Sequence, residues 1–163
     1  MSARRWLLKS EPTEFSFEAL WRAKQRTTVW SGVRNHQARN LLRDELALGD
    51  LVLFYHSSAD PSGVAGIARV ARAGFPDPTQ FDPEESGHDP ASTRAAPRWY
   101  AVELQALRPL VRFVALDELR AQPPLRGMEL LRKGSRLSVQ PVTLSEWRVV
   151  LALGGLEDRD LSP

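Results

Sequence analysis

Residues 28–42 hold the side chains best suited to binding or chemistry. Trp30 stands beside Ser31-Gly32, and six side chains that can hydrogen-bond follow: Arg34, Asn35, His36, Gln37, Arg39 and Asn40. Burying any of these without a partner costs ~1–3 kcal/mol, so an apolar core does not explain their density. An indole beside a glycine could stack on a nucleobase, a contact worth ~1–3 kcal/mol. From the local sequence alone, however, a tryptophan packed in the core is the favoured interpretation of Trp30.

A second group of reactive side chains is Lys9-Ser10-Glu11, at the end of the first predicted strand. A desolvated lysine can act as a base or nucleophile, with a glutamate as the acid. The same residues could also form a binding corner, in which Ser10 bonds a base edge and Lys9 meets a phosphate. A salt-bridged strand end is the simplest local interpretation, and the three alternatives stay open.

Other kinds of chemistry have little support. His56 and Ser57 are adjacent in a predicted strand, so their side chains point to opposite faces and cannot pair directly. The three histidines, His36, His56 and His88, are scattered. No H-E-x-x-H, P-loop, G-x-G-x-x-G or G-x-S-x-G pattern occurs. We therefore expect no metal and no cofactor.

The composition is typical of one globular domain. The chain has 163 residues, of which 42% are hydrophobic and 26% are charged. No apolar run approaches the ~18 residues that a membrane span requires, and the apolar run after Arg5 is too short for a signal peptide. There is no cysteine, so no disulfide forms. A cytoplasmic location, with no membrane partner, is the simplest inference.

The kind of basic residue says more than the net charge of +2. Only three of the 22 basic residues are lysines, which leaves 19 arginines. Arginine forks onto phosphates and stacks on aromatic faces, which suits a nucleic-acid partner. A GC-rich genome explains the same bias, so the arginine content alone does not decide between the two.

The candidate residues need a scaffold, and the hydrophobic pattern predicts one α+β domain. Strands are expected at residues 5–9, 28–30, 51–57, 64–71, 98–107 with an extension at 110–114, and 137–142. Short helices are expected after the caps Ser16 and Asn35, over residues 116–122 and 128–133, and after Thr143 or Ser145. Gly66 inside a strand indicates a bulge or a close backbone approach. About six strands without βαβ alternation predict a mixed, largely antiparallel sheet curled towards a small barrel.

Two segments fall outside this scaffold. Residues 74–97 contain five prolines among acidic and small residues, which predicts a surface excursion whose acids, Asp77 among them, are solvated. The domain is expected to span residues 1–155, followed by a frayed tail at 156–163.

Taken together, these motifs resemble the EVE domain family. The matching segments are residues 6–12, 30–40, 49–50 with 54–57, 75–82, 98–99 and 136–142. The most specific of them is W-S-G-V-R-N-H-Q-A-R-N, in which His36 stands where the family commonly has tyrosine. The resemblance implies a PUA-like fold, which is a small mixed β-barrel flanked by short helices.

The resemblance also implies a function, the non-enzymatic binding of a modified cytosine or adenine in DNA or RNA. The family is similar to the YTH domain, the reader of N6-methyladenine in RNA. By this similarity Trp30 would stack on the base and Ser10 would bond its edge. The other implied pocket residues are Asn35, His56, Ser57, Ser138 and Gln140. The implied phosphate contacts are Lys9, Arg34, Arg39 and Arg136.

Two other functions remain open. Some relatives with PUA-like barrels are amidohydrolases that use a lysine and a glutamate, so a small hydrolase acting on modified nucleosides is the alternative. Lys9 and Glu11 would carry it, because they share one face of an extended segment. The third possibility is an interaction module whose polar stretch only pins a loop to the barrel.

Overall fold

The structure is a computed structural model that describes residues 3–161 and contains one six-stranded sheet. The strands are β1 (Arg5–Ser10), β2 (Thr27–Trp30), β3 (Leu51–His56), β4 (Gly63–Pro76), β5 (Tyr100–Ala115) and β6 (Val139–Val142). The helices are α1 (Phe17–Arg22), α2 (His36–Asp44), α3 (Leu116–Arg120) and α4 (Leu144–Leu153). The predicted α+β class and number of strands are therefore confirmed.

The sheet is mixed and remains open. Its strand order is β2-β5-β4-β3-β1-β6, in which β1 and β3 are parallel and the other neighbours are antiparallel. Across residues 3–161 the edge strands β2 and β6 do not pair with each other, so the predicted barrel does not close. Each edge strand has only four residues, and residues of β2 and of the loop before β6 line the cavity described below.

Apolar side chains cover both faces of the sheet. Because neighbouring strand residues point to opposite faces, Trp6 of β1 packs in one core layer and Leu7 in the other. The first layer includes Leu20 of α1 and Leu42 of α2. The second layer includes Trp147 of α4. Helices α1 and α2 thus lie on one face of the sheet, and α4 lies on the other.

Strand β4 is irregular at Gly66, where the sequence predicts a bulge or a close backbone approach. The register of β4 shifts between Val64 and Gly66, against both neighbouring strands. A Cβ atom at Gly66 would stand 2.4 Å from the ring of Phe17, so only glycine fits. Strand β5 continues through Pro109, which lies opposite Gly66. Because proline is tolerated at such an irregularity, β5 is one strand rather than two.

The helix starts follow the predicted caps. The Ser16 hydroxyl accepts the Ala19 N–H at 3.0 Å, and α1 follows. At α4 the cap is Thr143 rather than Ser145, because the Thr143 hydroxyl accepts the N–H of Glu146 and the Glu146 carboxylate accepts that of Thr143. This reciprocal pair is a capping box.

The described part of the C-terminal segment is packed on the domain, which corrects the predicted frayed tail. Leu156 is 3% exposed and belongs to the second core layer. A short 3₁₀ turn, Asp158–Leu161, follows it, and Arg148 of α4 bonds Asp158 at 2.9 Å. No helix within residues 3–161 combines the length and apolar character needed to cross a membrane.

Candidate functional site

A cavity of about 730 Å³ lies at one end of the sheet, between its two edges. Its walls come from the end of β1, from β2 and the following loop, from the segment after β3, and from the loop before β6. A volume of this size is within the range of small-ligand sites, ~300–1,000 Å³. The open sheet therefore provides a space of the size of a ligand site at the end where its edge strands do not pair.

Most of the predicted site residues line this cavity. The predicted base contacts that reach it are Ser10, Trp30, Asn35, Ser57 and Ser138. Of the predicted phosphate contacts, Lys9, Arg34 and Arg136 line it. The other three predicted residues, His56, Gln140 and Arg39, do not line it.

Trp30 belongs both to the core and to the cavity. It is 8% exposed, and its ring meets that of Phe54 edge-on at a centroid distance of 5.5 Å. It also forms part of the cavity wall, followed by Gly32 at φ +85°. This backbone angle favours glycine. Trp30 therefore packs in the core, as its local sequence favours, and also presents part of its ring to the cavity.

Ser10 and Asn35 each use one hydrogen-bonding group within the protein and keep another for a ligand. The Ser10 hydroxyl donates to the carbonyl of Phe15 at 2.6 Å, so its oxygen can only accept from a ligand. The side-chain oxygen of Asn35 accepts the Ala38 N–H at 2.9 Å and caps α2. The amide hydrogens of Asn35 are then the groups that a ligand could meet. The cavity thus offers an acceptor on one wall and a donor on another.

Lys9 has a charged neighbour that its local sequence does not reveal. Burial lowers the pKa of Lys9, and the Glu129 carboxylate partly offsets this effect. Glu129 is itself held by Arg132 through two hydrogen bonds of 2.7 and 2.9 Å. Glu11, the acid predicted for the hydrolase, also lines the cavity, but it is exposed, and its carbonyl accepts the N–H groups of Glu14 and Phe15 in a turn.

Arg34 is tied to a buried carboxylate in the proline-rich excursion. Its Nη1 donates to Asp77 at 3.1 Å, and its Nη2 donates to Thr79 at 3.2 Å and to the carbonyl of Gly87. Asp77 also accepts the N–H of Gly32 at 2.7 Å. Burial alone raises the pKa of Asp77, but the hydrogen bonds from Gly32, Thr79 and Arg34 outweigh it and lower the pKa. We call these contacts the Asp77 latch, which joins the cavity wall to the excursion.

The latch corrects the solvated environment predicted for Asp77, whereas Asp82, Glu84 and Glu85 are exposed as expected. Asp77 and Gln80 are each 0% exposed. The Gln80 amide nitrogen donates to the carbonyls of Asp77 and Trp99, each at 2.8 Å, and its oxygen accepts the Trp99 N–H. Asp-Pro-Thr is a pattern typical of an Asx turn, and Thr79 N–H does bond Asp77. That local signal could have indicated an ordered turn, but not its distant partner Gly32.

Two of the predicted pocket residues brace the framework around the cavity. His56 Nε2 accepts the N–H of Phe17 at 3.0 Å, at the start of α1. Gln140 is 1% exposed, and its amide nitrogen donates to the carbonyl of Leu137 at 2.7 Å. Gln140 thereby supports the turn that brings Ser138 to the cavity, although it does not line the cavity itself.

The environment of His56 predicts a pH-dependent stability. Burial lowers the pKa of His56 below its ordinary value of 6.5. His56 therefore binds a proton more readily in the unfolded chain than in the folded one. Its contribution to the free energy of unfolding is fully present above the ordinary pKa and is lost as the pH falls through the lower pKa of the folded state. We expect the melting temperature to fall more between about pH 7.5 and about pH 5.5 in the parent than in His56→Gln. Equal falls would contradict this assignment, because glutamine does not titrate and His36 and His88 are common to both proteins.

Comparison with known proteins confirms the resemblance seen in the motifs. The EVE domain model matches residues 4–153. Thymocyte nuclear protein 1 from Homo sapiens is 39% identical over 91% of this chain and 72% of its own length. The crystal structure of human THYN1 protein in complex with 5-methylcytosine-containing DNA has a TM-score of 0.88 and 38% identity, over 95% of this chain and 99% of that chain.

A more distant likeness concerns the fold alone. A YTH domain from Zygosaccharomyces rouxii, solved in complex with N6-methyladenosine RNA, has a TM-score of 0.55. It is 15% identical, over 96% of this chain and 87% of that chain. The PUA-like architecture is thus shared well beyond the level of recognisable sequence. By its family match and its relatives, this chain belongs to the EVE domain family.

Proposed function

We propose that this protein binds a modified nucleobase of DNA or RNA in the cavity that Trp30 lines, without catalysing a reaction. The observation that carries the proposal is the position of Trp30, at the open end of a sheet and beside free hydrogen-bonding groups. Support also comes from human THYN1, which has been solved in complex with DNA that contains 5-methylcytosine. For that reason 5-methylcytosine is the first modified base to test.

The proposed mode of recognition is stacking combined with hydrogen bonds to the base edge. A base that is flipped out of its strand can be read in this way. Trp30 supplies the aromatic surface, the Ser10 oxygen accepts, and the Asn35 amide donates. Ser57 and Ser138 are proposed as further contacts, because both line the cavity. A single buried methyl group adds only ~0.8 kcal/mol, so the shape of the cavity must contribute to the discrimination.

The proposed contacts to the flanking phosphates include Lys9 and Arg136, whose positions on the cavity lining suit that role. Arg34 also lines the cavity, but its guanidinium is engaged in the Asp77 latch. We therefore propose that Arg34 shapes the wall more than it binds phosphate. His56 and Gln140 are proposed to hold the surrounding framework through their bonds to Phe17 and Leu137.

A panel of labelled oligonucleotides tests the proposal. Each pair would differ at one base only, cytosine against 5-methylcytosine or 5-hydroxymethylcytosine, and adenine against N6-methyladenine, in both DNA and RNA. We expect one modified member to bind at least about four-fold more tightly than its partner, the ratio that one buried methyl group can supply. Equal affinity within every pair would contradict the proposal. Turnover of modified nucleosides that Lys9→Ala abolishes would instead support the hydrolase.

A further inference from the structure

A second surface begins where the cavity wall ends. Asn35 lines the cavity, and α2 starts at the next residue, His36. The exposed imidazole of His36 stacks on the Trp99 ring, with a centroid distance of 4.9 Å and an interplanar angle of 29°. Trp99 is 6% exposed, so His36 forms the solvent-facing side of this pair. An aromatic platform therefore continues the surface of the protein directly beside the cavity.

Arginines border this platform. The guanidinium groups of Arg34, Arg98 and Arg39 lie 5.3, 5.9 and 6.0 Å from the centre of the Trp99 ring. Arg34 is neutralised by Asp77, and Arg98 lies 3.5 Å from the carboxylate of Asp89. Asp89 also accepts the indole N–H of Trp99 at 2.7 Å, so its charge is shared between two partners.

Arg39 differs from the other two because neutral oxygens hold it. Its Nη1 donates to the carbonyl of Arg98 at 2.8 Å, and its Nε donates to the side-chain oxygen of Asn40 at 2.9 Å. The nearest carboxylate on α2, that of Asp44, makes two hydrogen bonds to Arg43 instead. Within the described part of the chain, Arg39 forms no salt bridge. Its charge is thus fixed in position and remains available to an anion.

We propose that His36, Arg39, Arg98 and Trp99, here called the α2 platform, bind the sugar-phosphate backbone of the strand whose base enters the cavity. This proposal rests on the proposed function, because continuity with the cavity through Asn35 is what selects a nucleic acid as the occupant. An arginine held by neutral acceptors binds phosphate with little further loss of side-chain freedom. The amino end of the nine-residue α2 helix adds a favourable field for the same anion.

The test compares two double variants that remove the same charge. Arg39→Gln with Arg98→Gln neutralises the α2 platform. Arg148→Gln with Arg159→Gln is the matched control, because both residues are exposed and lie on the α4 side of the sheet. Affinity is measured for a modified oligonucleotide and its unmodified partner, between about 50 and about 200 mM salt. Thermal unfolding of every variant identifies those that are folded.

We expect the platform variant to lose about 10-fold in affinity at low salt, equally for the modified and the unmodified strand, because phosphate contacts do not depend on the base. The slope of log K against log salt should fall by about 0.7 to 1.4 for a single strand, or about 0.9 to 1.8 for a duplex; the lower figure is the loss of Arg39 alone, and the upper adds Arg98, whose charge is shared with Asp89. The control should keep the slope of the parent. Arg39→Lys with Arg98→Lys should also keep most of it, because the charges remain.

Three outcomes would overturn the proposal. An unchanged slope in the platform variant would mean that phosphates do not bind there, and an acidic protein surface would become the partner to test. Loss confined to the modified strand would place the effect in the cavity. Equal loss in the glutamine and lysine variants would make the effect structural. The parent protein could also lack any base preference while its platform variant shows the expected fall in the slope of log K against log salt. In that case the proposed function fails, but the phosphate-binding surface stands.

Discussion

Replacing Trp30 with alanine is expected to weaken strongly the binding of an oligonucleotide that carries the modified base. The change removes the aromatic surface at the open end of the sheet, and base stacking on such a surface is worth ~1–3 kcal/mol. That energy corresponds to a loss of roughly 5- to 150-fold in affinity, which a fluorescence-anisotropy titration would measure. Binding equal to that of the parent would rule out Trp30 as the stacking residue.

The same substitution also costs stability, so it needs a control. Trp30 packs against Phe54, and truncating a core aromatic residue typically costs ~3–5 kcal/mol. Trp147→Ala is the matched control, because Trp147 is fully buried in the core layer on the other face of the sheet. It should destabilise the protein to a similar degree, while the remaining folded molecules keep the affinity of the parent. Trp30→Phe should retain part of the affinity, since it keeps an aromatic ring.

Replacing Asp77 with asparagine is expected to loosen the cavity wall despite the nearly unchanged shape of the side chain. One carboxylate oxygen accepts the N–H and the hydroxyl of Thr79, and the other accepts the N–H of Gly32 and the Arg34 guanidinium. Asparagine has only one acceptor oxygen, so its NH₂ group must face donors wherever it points. Removing one partner of a fully buried ion pair typically costs ~3–5 kcal/mol, and we expect a smaller loss here, because Asp77 is fully buried but the Arg34 side chain is 27% exposed. Chemical unfolding would measure this loss.

The Asp77→Asn variant should also bind the base more weakly, because the latch is attached to the cavity wall. Gly32 and Arg34 both belong to the wall that Trp30 begins, so their release should weaken binding of the base while the sheet stays folded. Asp82→Asn is the control, since Asp82 lies in the same excursion but is exposed. If Asp77→Asn is as stable as Asp82→Asn and binds the base as tightly, the latch does not position the wall.

The latch also relates to the third function considered from the sequence, a polar stretch that pins a loop. Arg34 does pin a loop, because it bonds Asp77, Thr79 and Gly87 of the excursion. Ser10 and Asn35 retain groups that a ligand could meet, and they line an open cavity. The polar density of residues 28–42 thus divides into a bracing part and a part directed at the cavity.

Much of the local structure could be predicted because its causes are local. The caps at Ser16, Asn35 and Thr143 each bond an N–H three residues further on, within the distance that a sequence pattern can encode. The strands follow from alternating apolar residues, and Gly66 indicated its bulge because a strand has little other use for glycine. The motif resemblance extended these predictions to the PUA-like fold, and most of the binding residues that it implied do line the cavity.

Only the tertiary structure decided which distant groups would meet. Arg34 and Asp77 are 43 residues apart, and His56 meets Phe17 across 39 residues. Lys9 acquired Glu129 as its charged neighbour, although Glu11 is closer in the chain. Likewise, whether β2 and β6 closed a barrel depended on how all six strands paired. Local patterns determined the caps, the strands and the residue types of the site, but charge partners and an open sheet edge depend on long-range packing, which no short stretch of sequence contains.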